Sequence, residues 1–268
     1  MKYLLATIRL LLLGGATVGY YLRWLLGLPF VFAVLERSRG WREQNVGHWA
    51  RATSEILGMR VTVRNSPPVA PFLLVSNHLS YVDIVALLSQ VDCVFIAKKE
   101  VAGWPILGFV CRSLGTIFVD RTNKRDLLNA LARVEASLDR GSGVVLFAEG
   151  TSSAGREILP FRPSLLECAA RRHLPVHYAS IKYTGPQDAV QIEQSICWWG
   201  DMTFPGHLFR LLQLNQFEAR LAFGTEPIVG DDRRVLADRL WAAVNRQFHD
   251  PATAELYETN HAARIPSH

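Results

Sequence analysis

The stretch Phe72-Leu73-Leu74-Val75, followed after Ser76 by Asn77-His78-Leu79-Ser80-Tyr81-Val82-Asp83, decides the fold. Four apolar residues follow one another without the alternation of a half-solvated strand. That predicts a strand covered on both faces, and sheets of such strands belong to α/β folds. In those folds the active residues stand on loops leaving the strands, and this run ends at a histidine. On one regular helix, His78 and Asp83 would point about 140° apart and could not meet. If His78 is still in the loop and Asp83 lies in the first helical turn, the carboxylate folds back to the imidazole. It then fixes the tautomer and leaves the other ring nitrogen as a general base. The competing reading makes Ser80-Tyr81-Val82-Asp83 a capping box, with serine as N-cap and the carboxylate answering the N-cap amide. Spacing alone leaves both open.

The chain has 268 residues, 49% of them hydrophobic, enough for one large α/β domain or a domain with an appendage. A formal charge of +5 suits an anionic partner. The arginines are scattered rather than interleaved with aromatics, which argues against nucleic acid and toward an anionic membrane or a phosphorylated substrate. Cys93, Cys111, Cys168 and Cys197 lack the C-x-x-C spacing of a zinc or redox site and are expected to be reduced and structural.

The N-terminus is strongly apolar from Tyr3 to Leu35, but Arg9, Arg23 and Glu36 divide it into uncharged runs of thirteen residues (10–22) and twelve (24–35). As helices these would be roughly 18–20 Å long against a hydrocarbon core of about 30 Å. The favoured expectation is a monotopic anchor of two helices hinged near Arg23, the second bent by Pro29. Lys2, Arg9, Arg23, Arg37, Arg39 and Arg42 would then reach the headgroups. The alternatives are one tilted spanning helix with a snorkelled Arg23, and a cleaved signal peptide interrupted by Arg9.

Residues 41–57 keep roughly helical spacing, with Gly58 behind them as a helix-closing residue. Met59, Val61 and Val63 alternate with Arg60, Thr62 and Arg64 as a half-buried edge strand. Further strands are expected at 93–97, 116–119 and 144–147, the first leading to Lys98 and the second to Asp120-Arg121. Between the first two, 104–110 reads as a core loop or as part of a surface meeting lipid. Residues 124–140 carry Leu127, Leu128, Leu131, Val134 and Leu138 on one stripe, a structural helix. The strand at 144–147 ends at Ala148-Glu149-Gly150-Thr151-Ser152-Ser153, small and hydroxylated residues that form either a plain turn or a loop offering amides to an anion. Residues 163–172 read as helical, 176–183 and 192–198 as extended, 217–223 as a strand and 231–248 as a closing helix.

Taken together, three of these loops resemble the phospholipid and glycerol acyltransferase family that includes the bacterial 1-acylglycerol-3-phosphate acyltransferases. Asn77-His78 with Asp83 matches its NHxxxxD pattern. Gly115-Thr116-Ile117-Phe118-Val119-Asp120-Arg121 is similar to its GxIFxDR block, and Glu149-Gly150-Thr151 matches the start of its EGTRS block. Their order and separations fit over residues 60–225. Ala148 stands where proline is common, Ser152 replaces the usual arginine, and Pro175-Val176-His177-Tyr178-Ala179 keeps only the first proline of a later block.

The resemblance implies a single acyltransferase domain over 41–250 with a mixed, largely parallel sheet flanked by helices. A membrane-associated two-helix motif would precede it over 1–40 and a tail follow over 251–268. It implies His78 as the base that deprotonates an acceptor hydroxyl, which attacks the thioester of acyl-CoA or acyl carrier protein directly, with Asp83 orienting the base. No metal, cofactor or covalent acyl-enzyme is implied. Lys98 and Arg121 become candidates for the acceptor's anionic headgroup, and Glu149, Gly150, Thr151 and Ser152 for placing the acceptor. Each has a plainer role open to it: a core ion pair for Arg121, solvation for Lys98, a helix cap for Glu149. The expected acceptor is 1-acylglycerol-3-phosphate, giving phosphatidic acid. Because Ser152 offers no guanidinium to a phosphate, a lyso-aminolipid such as lyso-ornithine lipid is the close alternative. The expected partners are membrane lipids, the lysolipid and the acyl donor, at the cytoplasmic face of the inner membrane. A serine hydrolase is disfavoured by the lack of a G-x-S-x-G elbow, and a nucleotide enzyme by the lack of a phosphate-binding glycine loop. A non-catalytic lipid-binding relative would be expected to lose the histidine that this chain keeps.

Overall fold

The computed structural model describes residues 1–35, 38–105, 107–120, 123–186 and 189–250. Arg121 and the tail 251–268 lie outside the described residues. Seven strands form one sheet: β1 (Met59–Arg64), β2 (Phe72–Ser76), β3 (Cys93–Lys98), β4 (Ile117–Val119), β5 (Gly143–Phe147), β6 (Val176–Thr184) and β7 (Phe217–Phe223). Their spatial order is β1-β7-β6-β2-β5-β3-β4, and every pair is parallel except β6 with β7. The sheet is therefore mixed and largely parallel.

The unbroken apolar run of β2 has the expected cause. Phe72 and Leu74 face one core and Leu73 and Val75 the other, and all five β2 residues are buried. One face is covered by α2 (Ser38–Leu57), α3 (Val82–Leu88) and α8 (Phe204–Leu212), the other by α5 (Lys124–Asp139), α6 (Glu167–Arg171) and α9 (Arg233–His249). β1 is the expected edge strand, buried at Met59 and half-buried over most of its length. Gly58, with φ 71°, ends α2, and a Cβ there would meet the Asn215 carbonyl oxygen at 2.4 Å.

The expected hinge near Arg23 is not found. One helix, α1 (Lys2–Leu35), runs through both Arg23 and Pro29, and its partner in the helical pair is α2. They lie antiparallel: the Trp49 indole donates to the Thr17 hydroxyl at 3.2 Å, and Trp41 reaches the Trp24 carbonyl at 3.4 Å. The Arg23 guanidinium sits 5.3 Å from the Trp41 ring centre, so a cation–π contact accommodates the charge within one continuous helix. Arg9 does not reach outward either. It is 8% exposed and donates to the carbonyls of Leu212, Leu214 and Asn215 at the end of α8. By length and composition Lys2–Gly27 could cross a membrane, and most of that stretch is unburied within the protein.

Two segments read differently from the expectation. Residues 192–198, expected to be extended, belong largely to α7 (Ala189–Ser195) and the turn after it. Ile192 and Ile196 sit four apart and pack on one face, so helical spacing prevailed over β-branched and aromatic content. The glycine- and proline-containing stretch after β3 forms a 3-10 turn (Lys99–Gly103) and α4 (Leu107–Ser113). Gly108 permits this, because a Cβ there would meet the Ala102 carbonyl at 2.3 Å.

Candidate active site

Because β2, β5, β3 and β4 are neighbours and parallel, the chain leaves all four at the same edge of the sheet. At strand spacings of about 4.8 Å, the loops after them lie within about 14 Å of one another. This gathers His78, Glu149 and Lys98 at one rim.

His78 has left the strand and Asp83 lies in the first turn of α3, as the fold-back requires. His78 Nδ1 is 2.7 Å from Asp83 Oδ2. The same oxygen accepts the backbone amides of Leu79 at 2.7 Å and Ser80 at 3.0 Å, and the other oxygen accepts the Tyr183 hydroxyl at 2.6 Å. Four donors satisfy a carboxylate with no solvent exposure, which makes its burial tolerable. A carboxylate with those partners only accepts, so the hydrogen belongs to His78 Nδ1 and the lone pair to Nε2. The His78 side chain is 21% exposed, and Nε2 makes no hydrogen bond to any described residue. Its ring stacks on Phe147, with centroids 4.0 Å apart and planes within 12°.

Half of a capping box is present as well. Asp83 accepts the Ser80 amide, but the N-cap of α3 is Tyr81, and the buried Ser80 hydroxyl makes no hydrogen bond to a described residue. The two readings of the spacing were therefore compatible: one oxygen serves both the imidazole and the helix start.

The loop after β5 grips His78 by its backbone. Glu149, 2% exposed, accepts the His78 amide at 2.8 Å on one oxygen and the Leu159 amide at 3.2 Å on the other. The Ser153 amide donates to the His78 carbonyl at 3.0 Å. Burial pushes the Glu149 carboxyl up to about 8, against the two amides that favour its ionised form. Gly150, at φ 77°, allows the turn. Thr151 is exposed, and the Ser152 hydroxyl donates to the Trp198 carbonyl. Lys98 ends β3, exposed and with no ion-pair partner among the described residues. Asp120, just after β4, is 4.0 Å from the Lys99 ammonium, and its amide donates to Asp126 at 2.6 Å. Arg156, a possible substitute cation, is held in a two-pronged pair by Glu193 at 2.7–3.0 Å.

Sequence reasoning missed Tyr183, and gave Asn77 no role beyond its place in the motif. Asn77 continues the β2–β6 ladder with its side chain, accepting the Ile181 amide at 2.7 Å and donating to the Ile181 carbonyl at 2.9 Å. Tyr183 lies 100 residues beyond the carboxylate it meets, and no spacing rule connects them. Among the described residues no cluster of three His, Cys, Asp or Glu side chains is placed to hold a metal.

An imidazole held by a buried carboxylate at the carboxyl edge of a largely parallel sheet can accept and return a proton. An acyltransferase family model matches residues 59–182. The chain is 31% identical to a lyso-ornithine lipid O-acyltransferase of Brucella abortus, over 87% of this chain and 91% of that protein. It is 27% identical to a 1-acyl-sn-glycerol-3-phosphate acyltransferase of Neisseria meningitidis, over 79% and 83%. The crystal structure of the 1-acyl-sn-glycerophosphate acyltransferase from Thermotoga maritima shares the fold, with a TM-score of 0.70 over 94% of this chain and 98% of that one, at 22% identity. The chain belongs to the acyltransferase family and is an enzyme of acyl transfer.

Proposed function

We propose that this enzyme transfers a fatty acyl group from acyl-CoA or acyl carrier protein to the free hydroxyl of a lysolipid, with lyso-ornithine lipid as its acceptor. The observation that carries acyl transfer is the 2.7 Å His78–Asp83 pair at the carboxyl edge of the sheet, with the His78 ring partly exposed. Nε2 takes the proton of the acceptor hydroxyl as its oxygen attacks the thioester carbonyl carbon. The new C–O ester bond forms, the C–S bond breaks, and the imidazolium returns the proton to the leaving thiolate. Asp83 stabilises the imidazolium, and Tyr183 and the two amides keep the carboxylate in place.

The acceptor reading is supported at Ser152. An arginine there would grip a phosphate through two charged hydrogen bonds. Serine offers one hydroxyl, and that is spent on Trp198, while Arg156 is held by Glu193. The Brucella relative bears that acceptor in its name. The second reading, 1-acylglycerol-3-phosphate, is favoured by Lys98, exposed at the same edge.

The enzyme sits on the cytoplasmic leaflet as a monotopic protein. The packing of Ala6, Arg9 and Tyr20 against the body supports this, because a helix docked along its first twenty residues cannot also be surrounded by lipid.

A competition assay with both lysolipids at equal concentration tests the acceptor. Lyso-ornithine lipid is expected to be acylated faster, with Ser152→Arg shifting preference toward the phosphate; a preference of tenfold or more for 1-acylglycerol-3-phosphate overturns the acceptor assignment. In the same assay His78→Ala should lower turnover at least about 10²-fold, the low end for a general base, with an unchanged circular dichroism spectrum. Wild-type turnover in that variant would sink the catalytic assignment.

A further inference from the structure

His207 takes no part in the chemistry above, yet it lies in α8 with no solvent exposure, beside the catalytic loop. Both ring nitrogens are engaged. Nε2 is 3.0 Å from the Cys197 carbonyl, which only accepts, so the hydrogen sits there. Burial pushes the imidazole down to about 4, which keeps it neutral near pH 7, and Nδ1 therefore accepts the Tyr81 hydroxyl at 3.0 Å. Tyr81 stands between His78 and Asp83 and is the N-cap of α3.

Two further tethers run from the same segment. The Trp198 amide donates to the Leu79 carbonyl at 2.8 Å, and the Trp198 carbonyl accepts the Ser152 hydroxyl. The rings of Tyr81, Trp198 and Phe204 pack edge to face, with centroids 5.0–6.3 Å apart. The loop that must hold His78 against Asp83 is thus fastened from outside by residues 197–207. His207 orients both sides, fixing the Cys197 carbonyl with one nitrogen and Tyr81 with the other.

We propose that His207 is a positioning residue, which acts through Tyr81 to keep the 78–83 loop in the geometry where Asp83 meets His78. This rests on the reading of His78 and Asp83 as the catalytic pair. Removing the tether loosens Asp83 relative to the imidazole, so the imidazolium of the transition state is less stabilised. Substrate binding at the open edge is left alone.

Tyr81→Phe, which keeps the packed ring and deletes only the hydroxyl, tests this beside His207→Leu, the double variant and His78→Ala. Tyr81→Phe is expected to lower kcat about fivefold, the rate equivalent of one net hydrogen bond, with KM for the acyl donor unchanged. The acid limb of kcat/KM should move to lower pH, because a displaced carboxylate favours imidazolium less. The double variant should lose no more than His207→Leu. A Tyr81→Phe enzyme with wild-type kcat and pH profile, while His78→Ala is inactive, overturns the positioning role alone. Full turnover by His78→Ala overturns the catalytic pair and this inference with it. If His207→Leu fails to fold, Tyr81→Phe decides.

Discussion

Asp83 shows how much one side chain is asked to do. Its two oxygens collect an imidazole, a phenol and two backbone amides, so it starts α3 and aligns His78 at once. Glu149 has a comparable pair of amide donors, but burial raises its carboxyl to about 8 from an ordinary 4.5. Folded protein then binds that proton more tightly than the unfolded chain. The stability this contributes is complete below pH 4.5 and is lost as pH rises through 8. His207, pushed down to about 4 from 6.5, contributes with the opposite sign, fully present above pH 6.5 and lost as pH falls through 4. Between pH 6.5 and 8 only Glu149 of the two acts, so the midpoint of chemical denaturation should fall over that window. In Glu149→Gln the fall should flatten. An equal slope in both proteins would mean that the two amides hold Glu149 ionised throughout.

At the scale of elements, α8 joins the N-terminal helix to the loop that carries His78. Arg9 from α1 caps its final carbonyls, where the helix dipole is negative, while Tyr3 stacks on Phe209 with ring centroids 6.0 Å apart. Lysine cannot fork to three carbonyls as this guanidinium does. Arg9→Ala is expected to cost about 1–3 kcal/mol, the value of charged hydrogen bonds whose buried acceptors are left unmade. Hydrogen exchange over 204–215 should rise with it. Unchanged exchange there would show that Tyr3 and Ala6 alone hold the helix.

At the scale of the molecule, α1 has two sides. Ala6, Arg9 and Tyr20 face the body. Leu4, Ile8, Leu11, Val18, Leu22 and Leu26 are 46–77% exposed and follow one another at helical spacing. Phe109, 57% exposed beside Tyr21, extends this surface onto α4. Such a stripe suits the acyl region of one leaflet. High salt should leave the protein on vesicles of anionic phospholipid, because buried apolar area rather than charge would dominate. Leu11→Glu with Leu22→Glu, both at exposed positions, should release it without lowering its melting temperature. Release of the intact protein by salt alone would show that charge holds it there.

The sequence by itself determined β2, β3 and β5 and the loops that follow them, since continuous apolar runs closed by polar residues require burial on both faces wherever they lie. It also determined the helix of 124–139 by its period, and the His78–Asp83 spacing with its two readings. Only the tertiary structure decided what these pieces meet. The order β6-β2-β5-β3 brings Tyr183 to Asp83 and Glu149 to His78, and neither pairing leaves a mark in local spacing. Arg23 and Pro29 looked like a hinge because charge and missing hydrogen bonds break isolated helices; α2 lying alongside, with Trp41 under Arg23 and against Gly27, removes the reason for a break. Arg9 read as a headgroup ligand because arginine is costly in an apolar segment, and the carbonyls that satisfy it lie about two hundred residues away. Local chemistry shows which groups need partners, and long-range contacts choose them.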